Sequence, residues 1–215
     1  MSESNHTNSE VPDDINTESD KFGIFVNQTY ETAEGNKFLV TSIARESGNI
    51  EDFFVVYKNI PQQDSQGLSG SSDEEQGLGK TEQSWVRNMA EIESLENFDD
   101  IEYPTTDKIH QLELESSKAK EDNEEAISIG QKYQHFKTRD FYIIKDVARD
   151  PTDPGKKFVI YEGQYNSPEF GDHPVWIREY EDFTGMKVFK DDELDGNGRK
   201  KEPIKRFTLI DQNTQ

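Results

Sequence analysis

Apolar positions along the chain fall in short runs set between turn signals. Lys37-Phe38-Leu39-Val40-Thr41-Ser42-Ile43-Ala44-Arg45 and Phe53-Phe54-Val55-Val56-Tyr57 are rich in β-branched and aromatic residues. They are bounded by Glu34-Gly35-Asn36 and Ser47-Gly48-Asn49. Runs of this kind predict strands. A first strand region spans Phe22 to Thr32, and Trp85-Val86-Arg87 resumes the pattern after a polar stretch. Lys108-Ile109-His110-Gln111-Leu112-Glu113-Leu114 alternates and predicts a closing strand. The same order then recurs in Lys132 to Phe136, Phe141 to Arg149, Lys157 to Tyr161 and Val175 to Arg178. Met186 to Phe189 and Ile204 to Ile210 predict a last hairpin, with Ile204, Phe207 and Leu209 aligned on Ile109, Leu112 and Leu114.

The recurrence is anchored. Arg45 and Tyr57 are twelve residues apart, as are Arg149 and Tyr161, and Trp85-Val86-Arg87 matches Trp176-Ile177-Arg178. An internal duplication of this size reads as two copies of one folded unit. About five short strands per copy predict an all-β chain of two tandem small antiparallel barrels. SH3-like barrels are favoured, with an oligonucleotide-binding-type barrel as the alternative, because closure hides the edges of a short sheet. The expected domains are a first barrel at 21–115, a linker at 116–127 and a second barrel at 128–211. Residues 1–20 carry acidic residues and no Lys or Arg, which predicts a disordered acidic tail. Residues 61–84, dominated by Ser, Gly, Gln and Glu, predict a flexible insertion in the first copy.

Composition agrees with small folded units joined by polar segments. Of 215 residues, 31% are hydrophobic and 32% charged, and the formal net charge is -21. The charge argues against a protein that coats nucleic acid, which needs a basic surface to displace counterions. With no cysteine there is no disulfide, thiolate metal site or cysteine nucleophile. No apolar run approaches the roughly 20 residues of a membrane span. Without a secretory signal the expected location is the cytoplasm.

Candidate chemistry centres on the repeated anchors. Tyr161 and Trp176 offer ring faces, while Arg149 and Arg178 offer guanidinium forks for an anion or carboxylate. Tyr133 and His135 add polar contacts, and Tyr30, Arg45, Tyr57, Trp85 and Arg87 are the first-copy equivalents. The competing role for all of them is structural, with aromatics in a core and arginine packed across a ring. Asp191, Glu193, Asp195 and Glu202 have calcium-loop spacing, but Arg199-Lys200-Lys201 and strand-like flanks favour a hairpin turn, so no metal is assigned. Gly77-Leu78-Gly79-Lys80-Thr81 lacks the first glycine and the preceding strand of a phosphate loop. No hydrolase signature is present, and no cofactor is expected.

Gly130-Gln131-Lys132-Tyr133-Gln134-His135-Phe136-Lys137, Val147-Ala148-Arg149, Phe158-Val159-Ile160-Tyr161, Trp176-Ile177-Arg178 and Arg206-Phe207 together resemble the bacterial family catalogued as domain of unknown function 1653. The resemblance covers about residues 130–210 and implies a fold without an established activity. The first copy resembles a diverged member, with Thr32-Ala33-Glu34 where the family pattern has His-Phe-Lys. The expected function is non-enzymatic binding of a small anionic ligand or peptide at an aromatic–arginine surface. One alternative is a nucleotide-related enzyme or accessory using His135 and Arg149. Another is an acidic decoy for basic, nucleic-acid-binding proteins.

Overall fold

The computed structural model describes residues 23–60, 83–92, 103–119, 126–190 and 192–210. The expected tail at 1–20 and nearly all of the insertion at 61–84 lie outside them. The first segment contains β1 (Thr29–Glu31), β2 (Lys37–Glu46), β3 (Phe53–Ile60) and β4 (Ser84–Asn88). A helix, α1 (Thr106–Ala119), follows. The second segment contains β5 (Lys132–His135), β6 (Phe141–Arg149), β7 (Lys157–Gly163) and a small hairpin, β8 (Asn166–Ser167) with β9 (Gly171–Asp172). It continues with β10 (Val175–Glu179), the one-turn helix α2 (Tyr180–Thr184), β11 (Met186–Lys187), β12 (Ile204–Lys205) and β13 (Phe207–Leu209).

The described chain is mostly β, and its pairings are mostly antiparallel. The strands of the two segments are nevertheless joined in a single nine-stranded sheet rather than lying in two separate ones. The order β13-β5-β6-β4-β3-β2-β10-β7, with β6 also paired to β7, closes a circuit of six strands drawn from both segments. The joins are the two parallel pairings. In one, Trp85 of β4 sits opposite Arg149 of β6. In the other, Trp176 of β10 sits opposite Arg45 of β2.

Local structure corresponds closely between the segments. The register shift between Val40 and Ser42 has its counterpart between Ile144 and Asp146, 104 positions on. Asn27 N–H donates to Val40 O, as Gly130 N–H does to Ile144 O. Burial follows the same correspondence in three apolar clusters. One holds Phe38, Val40, Tyr57 and Trp85, and a second holds Tyr142, Ile144, Tyr161 and Trp176. The third takes Ala44, Val56 and Val86 from the first segment and Ala148, Ile160 and Ile177 from the second. This shared cluster lies between the joined strands and is fully dry, since Ala44, Val56, Ala148 and Ile160 have no exposed surface.

Two expectations need correction. Lys108 to Leu114 is not a closing strand but part of α1. Ile109 and Leu112 stand three apart on one helix face, the chain around them is rich in Gln, Glu, Leu and Lys, and Ile109 packs on the first cluster. Seven residues of alternation were too few to separate the two periods. The last hairpin is also subdivided: β11 pairs β12, while β13 turns away to pair β5.

The shared cluster predicts joint unfolding. Ile177→Ala should lower stability by about 2–5 kcal/mol, the range for a large aliphatic side chain in a close-packed core. The protein has two tryptophans, one per segment, both buried. In Trp85→Phe and in Trp176→Phe, the fluorescence of the remaining tryptophan should therefore melt with the same midpoint as that variant's circular dichroism. Separate midpoints would show that the segments do not share a cooperative core.

Candidate functional site

Most of the candidate aromatic residues are wall material rather than ligand surface. Tyr57 and Tyr161 are buried, and so are Trp85, Tyr133 and Trp176. Each tryptophan is closed over by a further ring. Tyr103 lies 5.4 Å from Trp85 and its hydroxyl is 3.1 Å from that of Tyr57. Phe170 lies 5.0 Å from Trp176, whose indole N–H donates to the Tyr165 hydroxyl. Tyr30 stacks on Phe38 at 5.6 Å, and its hydroxyl donates to Gly23 O.

Arg149 and Arg45 occupy the two joins. Arg149 is 3% exposed, and three of its nitrogens are engaged. Nη1 donates to Pro154 O at 2.6 Å, Nη2 to Glu113 Oε1 at 2.8 Å and Nε to Gln83 Oε1 at 3.3 Å. A buried guanidinium held this way ties β6 to α1 and to the start of β4, and works as a strut. Arg45 repeats the first bond, from Nη1 to Ile50 O, but its guanidinium lies 4.4 Å from the Phe53 ring and 5.3 Å from that of Phe170.

Arg178 and His135 come together at a different place. β13 runs against β5 with Phe207 opposite His135, and Phe136 N–H donates to Arg206 O. β10 presents Arg178 just before α2, which places Asp182 one turn later. Arg178 Nη1 donates to Asp182 Oδ2, and Arg206 Nε lies 3.0 Å from Asp182 Oδ1. That second contact is an ion pair without hydrogen-bond alignment: the Nε atoms of Arg178 and Arg206 are both buried and make no hydrogen bond among the described residues. Two guanidiniums thus share one carboxylate. The Tyr161 hydroxyl contacts Arg178 from within the core.

Rings and cations alternate outward from this pair. Arg178 lies 6.0 Å from the Phe207 ring, and the His135 ring is 5.0 Å from both Phe207 and Phe136. Phe136 is 6.4 Å from Phe189, over which Lys201 and Lys187 sit at 5.2 and 6.0 Å. Burial, then Arg178 and Arg206, hold the His135 imidazole below its usual pKa, so it is neutral at pH 7. Its Nδ1 is 3.2 Å from Thr138 Oγ1. His135 N–H donates to Asp140 O beside the start of β6, whereas Arg149 ends that strand. The nine residues of β6 put roughly 26 Å between them at about 3.3 Å per residue, so His135 and Arg149 do not share a site.

The acidic loop folds as a tight turn. Leu194 bridges Lys200, Asp195 N–H donates to Arg199 O, and Asp195 Oδ1 accepts from the N–H groups of Asn197 and Arg199. Asp191 lies outside the described residues, and among those described no three acidic or histidine side chains converge on a metal position.

Residues 131–208 match the family described as protein of unknown function, DUF1653. No curated protein and no solved structure matches the chain. The DUF1653 segment contains Tyr133, His135, Arg149, Tyr161, Trp176 and Arg178, and the match does not extend to Tyr30, Arg45, Tyr57, Trp85 or Arg87. Among the described residues no helix is long and apolar enough to cross a membrane.

The site also contains residues absent from the sequence-derived set. Arg206 was visible as Arg206-Phe207 but had no stated partner. Asp182 carried the signal of i, i+4 spacing from Arg178.

Two outcomes follow. Arg149→Lys should lower unfolding stability by about 2 kcal/mol and more than Arg45→Lys, because only Arg149 loses a charged hydrogen-bond network; paired urea curves measure the difference. A histidine with lowered pKa binds fewer protons folded than unfolded, so its contribution is complete above about pH 6.5 and is lost as pH falls from there through the lowered folded-state value. His135→Gln should flatten the drop in urea midpoint between pH 7.5 and pH 5, and an unchanged slope would place the effect on other groups.

Proposed function

We propose that this is a non-enzymatic binding protein of the cytoplasm, built from two fused copies of one small β unit, and that the second copy recognises a carboxylate-bearing ligand, either a small molecule or a peptide. The observation that carries the reading is the pair Arg178 and Arg206 converging on the single carboxylate of Asp182. Two forks on one anion leave donor capacity for a second carboxylate, and guanidinium geometry matches that group bidentately. The alternating Phe and Lys side chains beside the pair supply apolar contact and positive potential in a chain of net charge -21. The corresponding bonds 104 positions apart support the reading of two copies.

The first copy supports a weaker site or none. Arg87 and Glu91 stand where Arg178 and Asp182 stand, but buried Thr32 replaces His135, and no arginine among the described residues corresponds to Arg206. The enzyme alternative draws no support from geometry, since His135 and Arg149 lie at opposite ends of β6.

Isothermal titration of the full chain with succinate and with a hexaglutamate peptide tests the proposal, and the two arms separate a small ligand from a peptide. At least one should bind saturably. Arg206→Gln should weaken it about tenfold or more, the equivalent of a lost charged hydrogen bond. Asp182→Asn should strengthen it several-fold by removing the internal competitor. Absence of binding to the parent and to Asp182→Asn, or indifference to Arg206→Gln, would overturn the reading.

A further inference from the structure

The arginine pair is one end of a longer surface. β12 ends immediately before Arg206, and its register with β11 sets Lys187 opposite Ile204. Two residues of chain and one cross-strand step therefore connect Arg206 to Lys187, and their Cα atoms are at most about 12 Å apart whatever the twist of the hairpin. Phe136 is tied to the same place, since its N–H donates to Arg206 O and its ring is 6.4 Å from that of Phe189. The ammonium groups of Lys201 and Lys187 lie 5.2 and 6.0 Å from the Phe189 ring. Among the described residues neither of these lysines meets a carboxylate.

The chemistry along this surface runs from a guanidinium pair, through two rings, to an ammonium pair. Phe136 and Phe189 are half-buried and Lys201 is exposed, so the rings and the second cation group both offer surface to a partner. Ile204, directly across from Lys187 and 41% exposed, adds apolar area on that face. An extended peptide rises about 3.4 Å per residue and turns every second side chain to one face, so its residues i, i+2 and i+4 cover about 14 Å. One such stretch is long enough to meet all three groups in order.

Taking the arginine pair as a carboxylate site, we propose that its ligand is an extended peptide with two acidic residues four positions apart and an apolar residue midway. One carboxylate pairs with Arg178 and Arg206, and the apolar side chain lies against Phe136 and Phe189. The second carboxylate meets Lys187 and Lys201. Charge complementarity selects acid at both ends, and a uniformly charged peptide leaves the rings without an apolar partner. The turn between β11 and β12 also carries Glu193, Asp195 and Glu202, which disfavour an anionic bilayer despite the exposed Met186 and Val188.

Isothermal titration of the full chain with the acetylated, amidated peptide Glu-Ser-Phe-Ser-Glu tests the assignment. It should bind saturably. The analogue Glu-Ser-Ser-Ser-Glu should bind about tenfold more weakly, the equivalent of one lost apolar contact, and an analogue with one glutamate replaced by glutamine several-fold more weakly. Lys187→Met combined with Lys201→Met should lower the affinity for the parent peptide to that of the glutamine analogue and leave the analogue's own affinity unchanged. Arg206→Gln should weaken both. Vesicles of phosphatidylserine and phosphatidylcholine in equal parts should not retain the protein. Arg206-dependent binding of succinate or hexaglutamate, with the three peptides equal or the double lysine variant neutral, would overturn the two-carboxylate peptide and leave the arginine site standing. Failure of every acidic probe would overturn both. Retention on the vesicles that is lost in Val188→Asp would replace the peptide with a lipid surface.

Discussion

The structure depends on the two parallel strand contacts through which the segments join one sheet. β4 carries Trp85 to Arg149, and β10 carries Trp176 to Arg45. Each contact is short, with two register positions, so its backbone hydrogen bonds alone hold little. Its strength comes from what surrounds it. On one side the tryptophan enters its own segment's cluster, and on the other the shared cluster of Ala44, Val56, Val86, Ala148, Ile160 and Ile177 is sealed from water. Small domains bury a limited fraction of their surface, and a segment of fewer than about 100 residues with so polar a sequence gains most by lending one face to a partner. Reciprocal exchange lets both segments do so at once, which is the logic of a two-fold dimer carried out within one chain.

A single chain also permits asymmetry, which a symmetric dimer cannot have. Once the two joins belong to one chain, each can change independently. At Arg45 the rings of Phe53 and Phe170 lie against the guanidinium, whereas Arg149 is held by Pro154 O, Glu113 and Gln83. The same holds at the outer surface. His135, Arg178 and Arg206 gather in the second segment because β13 pairs β5, and among the described residues β1 has no such neighbour. α1 takes a different part in the first segment, covering its cluster through Ile109 and reaching Arg149 through Glu113.

Sequence pattern revealed the strands and their anchors because those are local. Alternation and turn residues placed β2, β3, β6, β7 and β10 within about three residues, and the arginine-to-tyrosine spacing reflects one antiparallel hairpin of fixed length in each segment. The joins were not legible. Trp85 and Arg149 are 64 positions apart, and nothing in their own segments marks them as neighbours. α1 was missed for a different reason: Ile109, Leu112 and Leu114 satisfy a two-residue and a three-residue repeat almost equally, and tertiary packing of Ile109 decides. The candidate site was half legible. Arginine and aromatic identity could be seen in the sequence, but exposure could not, since arginine serves as a strut at Arg149 and shares the Asp182 carboxylate at Arg178 and Arg206. Which role applies depends on how many donors the neighbours already use.

That donor count also resolves the apparent conflict between a net charge of -21 and an anion-binding reading. Charge summed over the chain sets long-range potential, which salt screens beyond about 10 Å. On the proposed reading, recognition is decided inside that distance, where Arg178 and Arg206 outnumber Asp182. An acidic chain that keeps its few clustered cations partly buried and close to rings gives them little competition from solvent and none from a general basic field. On the proposed reading a small carboxylate gains its attraction only on reaching the paired guanidiniums, within the distance that salt leaves unscreened.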